Sequence, residues 1–144
     1  MIRRLPQIKN LKLDIGCGDK ITTGYVGMDV RDCGQEIIWD ARQGIPFPDN
    51  SVDAICTSHF LEHLNDEQSI DFLQECMRVL KHKGEMKNRL PHVTHPTAFY
   101  FGHLTFWNEW RVESLLRMTE KIQPFLIIEN KQESAELKFT LKKI

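Results

Sequence analysis

The sequence predicts an α/β layered fold with a mostly parallel sheet and an antiparallel strand at one side. Three observations predict it. Short apolar runs end in glycine or aspartate, as buried strands do. Apolar spacing then switches to a helical period between residues 66 and 81. The chain closes with two runs that read as a hairpin-like pair.

Each element follows in order. LKLDIG (11–16), YVGMDV (25–30) and IIWDA (37–41) read as the first three strands. VDAICTSH (52–59) reads as the fourth, after the turn-forming PFPDNS. In the next segment Ile70, Leu73, Cys76, Met77 and Leu80 share one helical face, with Asp66, Glu67 and Asp71 near the start and Lys81 near the end. These charges suit the helix dipole, and Gly84 is placed as the C-terminal cap. GEMKNRLP (84–91) is expected as strand five, although Lys87, Asn88 and Arg89 suit a buried parallel strand poorly. A polar and aromatic loop follows, then a helix through 105–121. FLIIEN (125–130) and ELKFTLKK (136–143) form the final pair, the second alternating Leu137, Phe139, Leu141 against Lys138, Thr140, Lys142.

Length and composition set bounds. At 144 residues, 41% hydrophobic and 27% charged, the chain suits one compact domain over 1–144. A net charge of −1 gives no long-range pull toward nucleic acid or an anionic membrane. No apolar run is long enough to span a bilayer, and no signal peptide is evident, so a cytoplasmic location is expected. Cys17, Cys33, Cys56 and Cys76 form no C-x-x-C pair and read as reduced thiols, with Cys56 and Cys76 expected in the core.

Asp14-Ile15-Gly16-Cys17-Gly18 lies at the end of the first strand, the edge at which open α/β sheets bind ligands. Glycine there lets backbone approach a ligand closely. Asp29 ends the second strand, where a carboxylate can accept both hydroxyls of a ribose. Asp40 ends the third, followed by Ala41, where an exocyclic amine such as that of adenine can be met. Acids at three successive strand ends are more specific than a lone G-x-G. A dinucleotide fits less well: Ile21 stands where G-x-G-x-x-G needs its third glycine, and Asp14 favours a cationic ligand.

LDIGCG, GMDV, WDARQGIPFPDNSVDAICTSHFLEHL and FLQECMRVLKHKGEMKNRLPH, in this order, resemble the class I S-adenosylmethionine-dependent methyltransferases over about residues 8 to 121. The resemblance implies a Rossmann-like seven-stranded sheet, mostly parallel, with the terminal strand antiparallel. It implies S-adenosylmethionine as cofactor. Gly16, Cys17 and Gly18 would approach its methionyl part and ribose, and Asp14 would orient the loop. Asp29 would hold the ribose hydroxyls, Val30 would lie against the adenine, and Asp40 and Ala41 would meet its polar edge. Ser58 and His59 would flank the methyl path. The sequence departs from the family's pattern in the ten residues between Gly18 and Asp29, too few for a full helix, so a loop and a more open cofactor site are expected. Lys20 stands where a further glycine often falls.

SHFLEHL (58–64) contains His59, Glu62 and His63 in the order H-x-x-E-H, the signature of one class of zinc peptidase. That chemistry needs the motif within one helix and a third protein ligand. The preceding VDAICTS is strand-like, so no metal is expected. His63 is read as a buried histidine that fixes the turn, and His59 as either pocket-lining or structural. In LPHVTHPTAFYFGHLTFWNEW (90–110), His92 is a candidate general base, with His59 beside it as a second catalytic candidate.

The sequence leaves the methyl acceptor open among small molecule, saccharide and protein side chain. A homo-oligomer or a partner subunit is compatible with it. The competing reading is a non-catalytic module of the same fold acting as a partner subunit.

Overall fold

A computed structural model describes residues 9–144 of the chain. Seven strands form one sheet in the order β3-β2-β1-β4-β5-β7-β6. They are β1 (Lys12–Ile15), β2 (Val26–Asp29), β3 (Ile37–Ile38), β4 (Val52–Ser58), β5 (Leu80–Pro91), β6 (Phe125–Glu133) and β7 (Glu136–Lys143). β7 is antiparallel to both its neighbours, and the remaining pairs are parallel. The antiparallel strand therefore lies inside the sheet rather than at its side: the β6–β7 hairpin folds back so that β7 enters between β5 and β6.

The helix α1 (Asp66–Val79) joins β4 to β5. Asn65 begins it with a capping box, its side chain accepting from the Gln68 amide while Gln68 reaches back to the Asn65 amide. The helix stops at Val79, before the expected 81. The chain turns extended at Leu80 and enters β5 directly. Gly84 is thus not a helix cap. It lies within β5, where a Cβ would stand 2.8 Å from the Lys81 carbonyl and 3.1 Å from that of Asp53. The second helix is also shorter than expected. α2 spans Glu109–Ser114, followed by a 3₁₀ turn over Leu115–Met118. Residues 105–108 are spent on other contacts: Thr105 donates to the Leu61 and Leu64 carbonyls, Trp107 bridges to His92, and Asn108 caps α2.

One core fills the space between the sheet and these helices. Leu13, Ile15, Met28, Ile55, Met86, Leu90, Leu137, Phe139 and Leu141 line its sheet side, and Phe72, Leu73, Met77, Val112 and Leu115 its helix side. Trp107 is buried and stacks on Phe139. On the opposite sheet face no helix lies among the described residues. The loop after Gly16 lies over β1, β2 and β4: Cys17 and Ile21 crowd Gly27, and Thr22 bonds Asp14 and contacts Cys56. Toward β5 and β7 that face is polar and open. This explains strand five. Met86, Asn88 and Leu90 turn inward and Lys87 and Arg89 turn out, so a strand with one solvated face needs alternation. Cys76 is in the core as expected, whereas Cys56 belongs to the polar face and is only partly buried.

Candidate functional site

The β1 loop is held by hydrogen bonds that the sequence encodes. Gly16 and Cys17 both donate their amides to the Met28 carbonyl, at 2.8 and 3.2 Å. Asp14, buried, accepts from the Thr22 amide and hydroxyl, both at 2.8 Å. Gly16 has φ +71°, and a Cβ there would fall 2.5 Å from Phe60 Cδ2. Glycine is required at this position on both counts.

Asp29 ends β2 and is only 8% exposed. One carboxylate oxygen accepts from the Gly18 amide at 2.9 Å, the other from the Arg31 amide at 3.0 Å. Each oxygen keeps a further lone-pair direction for a ligand. Asp40 caps the 3₁₀ turn Ala41–Gln43 and pairs with Arg42 at 2.8 Å. The Arg42 hydrogen bonds hold its carboxyl below the usual range.

A cleft of about 480 Å³ opens at these strand ends, a size usual for a small-molecule site. Gly16, Asp29, Val30, Asp40, Ala41 and His59 line it. The other residues expected at the cofactor act from elsewhere. Asp14 and Gly18 brace the loop and Asp29. Cys17 is buried against Gly27, and burial, with Asp14 and Asp29 adding to it, pushes its thiol up to about 12. Ser58 turns to the polar sheet face, where Arg89 donates to its hydroxyl. Ile15 and Met28 of β1 and β2, with Arg31, Trp39, Arg42, Phe60, His63 and Leu64, complete the lining and were not anticipated. A signal was present: Arg31 and Arg42 directly follow Val30 and Ala41, Trp39 directly follows β3, and Phe60, His63 and Leu64 lie in the segment between β4 and α1.

A second cavity of about 410 Å³ adjoins the first. His59 and His63 line both. His59 stands just past β4 with φ +54°, a region histidine enters at a cost. Its Nε2 lies 2.8 Å from Glu136 Oε2 and its Nδ1 3.5 Å from Glu62 Oε2. These carboxylates, Glu62 foremost, raise its proton affinity. His63 is exposed rather than buried, because the 3₁₀ turn Leu61–His63 points Leu61 and Glu62 inward instead. The H-x-x-E-H residues do not share a helix.

His92 lies apart from both cavities. It is buried, its Nδ1 accepts from the Thr94 amide at 3.1 Å, and its Nε2 lies 3.1 Å from Glu109. In this arrangement the neutral ring has no free lone pair.

Residues 30–86 match the family model for the methyltransferase domain. No curated protein matches the chain. Among solved structures the fold is similar to that of an S-adenosylmethionine-dependent methyltransferase from Archaeoglobus fulgidus, with TM-score 0.71 and 18% identity over 93% of this chain and 86% of that one. A comparable enzyme from Aquifex aeolicus gives TM-score 0.68 and 17% identity, covering 94% and 82%. The 1,6-didemethyltoxoflavin-N1-methyltransferase of Burkholderia thailandensis, solved with S-adenosylhomocysteine bound, gives 0.70 and 15%, covering 92% and 70%. The chain has the Rossmann-like fold of the class I S-adenosylmethionine-dependent methyltransferases. Over residues 30–86 its sequence matches the methyltransferase domain as well.

Proposed function

We propose that the protein transfers a methyl group from S-adenosylmethionine to an acceptor that approaches from the His59 side of the cleft. The observation that carries this reading is the Asp29 carboxylate, buried at the cleft edge, fixed by two backbone amides and still able to accept. The cleft fits the cofactor in three respects. Its volume suits a ligand of that size. Gly16 gives a backbone approach that any Cβ would close. Val30, Trp39 and Phe60 supply apolar wall beside the polar strand ends.

When bound, S-adenosylmethionine supplies an activated, electrophilic methyl group. Asp29 would hold its ribose hydroxyls, and Asp40 with Ala41 its adenine edge. The protein's main task is placement, and alignment of reactants can supply about 7–11 kcal/mol. His59 is the favoured group for taking a proton from the acceptor. It lines both cavities, and the carboxylates of Glu62 and Glu136 stabilise its imidazolium form. His92 is assigned a positioning role, tying the segment after β5 to α2.

The test is calorimetric titration with S-adenosylhomocysteine. Wild type is expected to bind in the micromolar range, about −8 kcal/mol, and Asp29→Ala to lose at least tenfold while keeping its fold by circular dichroism. Absence of binding in both proteins would replace this reading with that of a non-catalytic partner subunit.

A further inference from the structure

The second cavity contains a buried acid for which the methyl-transfer chemistry gives no role as a ligand. Glu62 is 2% exposed, and neither of its carboxylate oxygens has a hydrogen-bond partner. The closest cationic atom, His59 Nδ1, is 3.5 Å away, and the other nitrogen of that ring is engaged at 2.8 Å with Glu136. An ionised carboxylate buried without donors is costly by several kcal/mol. The His59 ring reaches only one of the two Glu62 oxygens, at a length that makes no hydrogen bond.

Two histidines converge on it. One ligating atom from each of Glu62, His63 and His103 lies within 4.8 Å of the others. The tautomers suit metal binding. His63 Nδ1 lies 3.2 Å from the Gly102 carbonyl, and His103 Nδ1 lies 3.0 Å from that of Ala98. A carbonyl only accepts, so each Nδ1 carries the proton and each Nε2 keeps its lone pair. Backbone carbonyls fix metal-ligating imidazoles in this way. His95, which also lines the cavity, has the opposite tautomer: its Nδ1 accepts from the Thr97 amide at 3.3 Å, leaving Nε2 protonated. The scaffold around the cluster is stitched. The Leu104 and Thr105 amides donate to the Glu62 carbonyl at 2.7 and 3.2 Å, and the Thr105 hydroxyl donates to Leu61 and Leu64. These bonds bring His103 to Glu62 across 41 positions of sequence.

We propose that Glu62, His63 and His103 form a binding site for a divalent transition metal of the zinc type. Two imidazoles and one carboxylate are a donor set that zinc takes in sites that keep a fourth, open position. That position would face the cavity. Bonds of about 2.0–2.1 Å put tetrahedral ligand atoms about 3.4 Å apart, so closure needs a modest inward movement, which the exposed His63 ring can make. The ligand set differs from the H-x-x-E-H pattern of the sequence, because His103 takes the place of His59.

The experiment uses the untagged 144-residue chain, stripped with chelator and titrated with zinc, with cobalt absorption as a second readout. No cofactor is needed, so the result is independent of the methyl-transfer reading. One equivalent of zinc is expected, with the intense visible bands of four-coordinate cobalt. His103→Ala and Glu62→Gln are each expected to weaken zinc at least tenfold, and His95→Ala to leave it unchanged. His103→Ala is the deciding variant, since it removes a partly exposed ring from a loop, and its melting curve checks the fold. Absence of stoichiometric zinc binding by the wild type, or equal affinity in folded His103→Ala, would overturn the proposal.

Discussion

Phe60 faces Gly16 so closely that the two residues form one device. The aromatic ring supports the turn of the β1 loop and also packs edge-on against Phe72 of α1, at 4.9 Å between centroids. A methyl at Gly16 would therefore disturb both the cleft and the core. Gly16→Ala is expected to cost about 2–4 kcal/mol, combining overpacking with a left-handed backbone. Gly24 offers the comparison: its φ is +84°, but nothing lies within 4 Å of a Cβ there. Gly24→Ala should cost only the backbone share, about 1–2 kcal/mol. Urea unfolding of the two variants separates these contributions, and equal losses would remove the steric role assigned to Phe60.

At the scale of the element, the α1 C-terminal half is anchored by Arg78. Its guanidinium bonds Glu75, Asp49 and the carbonyls of Ile45 and Phe47, while Glu75 also accepts from the Ile45 amide. The PFPDN turn is thereby tied to the helix that packs on the sheet. The Arg78 hydrogen bonds hold the Glu75 carboxyl below its ordinary value of 4.5. A depressed carboxylate contributes stability above its unfolded-state value and loses it as pH falls through the folded one. Glu75→Gln should therefore be less stable than wild type by about 1–2 kcal/mol near neutrality. The gap should shrink once pH drops below 4.5, as followed by urea unfolding at stepped pH. A gap that stayed constant into acid would show that Glu75 acts by packing alone.

For the whole molecule, the decisive feature is a sheet whose helices, among the described residues, lie on one face. The polar face explains why β5 carries Lys87 and Arg89 beside buried Met86, Asn88 and Leu90. Lys87→Ala should change stability by no more than about 0.5 kcal/mol. Asn88→Ala removes the partner of the buried Thr57 hydroxyl, at 2.7 Å, and should cost about 1–3 kcal/mol. Thermal unfolding checks the pair, and a large loss at Lys87 would mean that this face is covered. No helix among the described residues is long and apolar enough to cross a membrane.

The sequence by itself determined the succession of strands and helices along the chain, the loop after Gly18, and the acids at or near the ends of β1, β2 and β3. These are local signals: apolar runs, glycine spacing and strand-end carboxylates are written in consecutive residues. It placed α1 from its apolar spacing and the acids near its start but overran its end, since the switch into β5 at Leu80 depends on pairing with Val52. Only the tertiary structure decided which face of β5 is wet, that β7 enters the sheet beside β5, and that Ser58 turns away from the cleft. It also separated His92 from the cavities and brought His103 to Glu62 and His63. Each of these rests on contacts between segments far apart in the chain, and no periodicity within a segment encodes them.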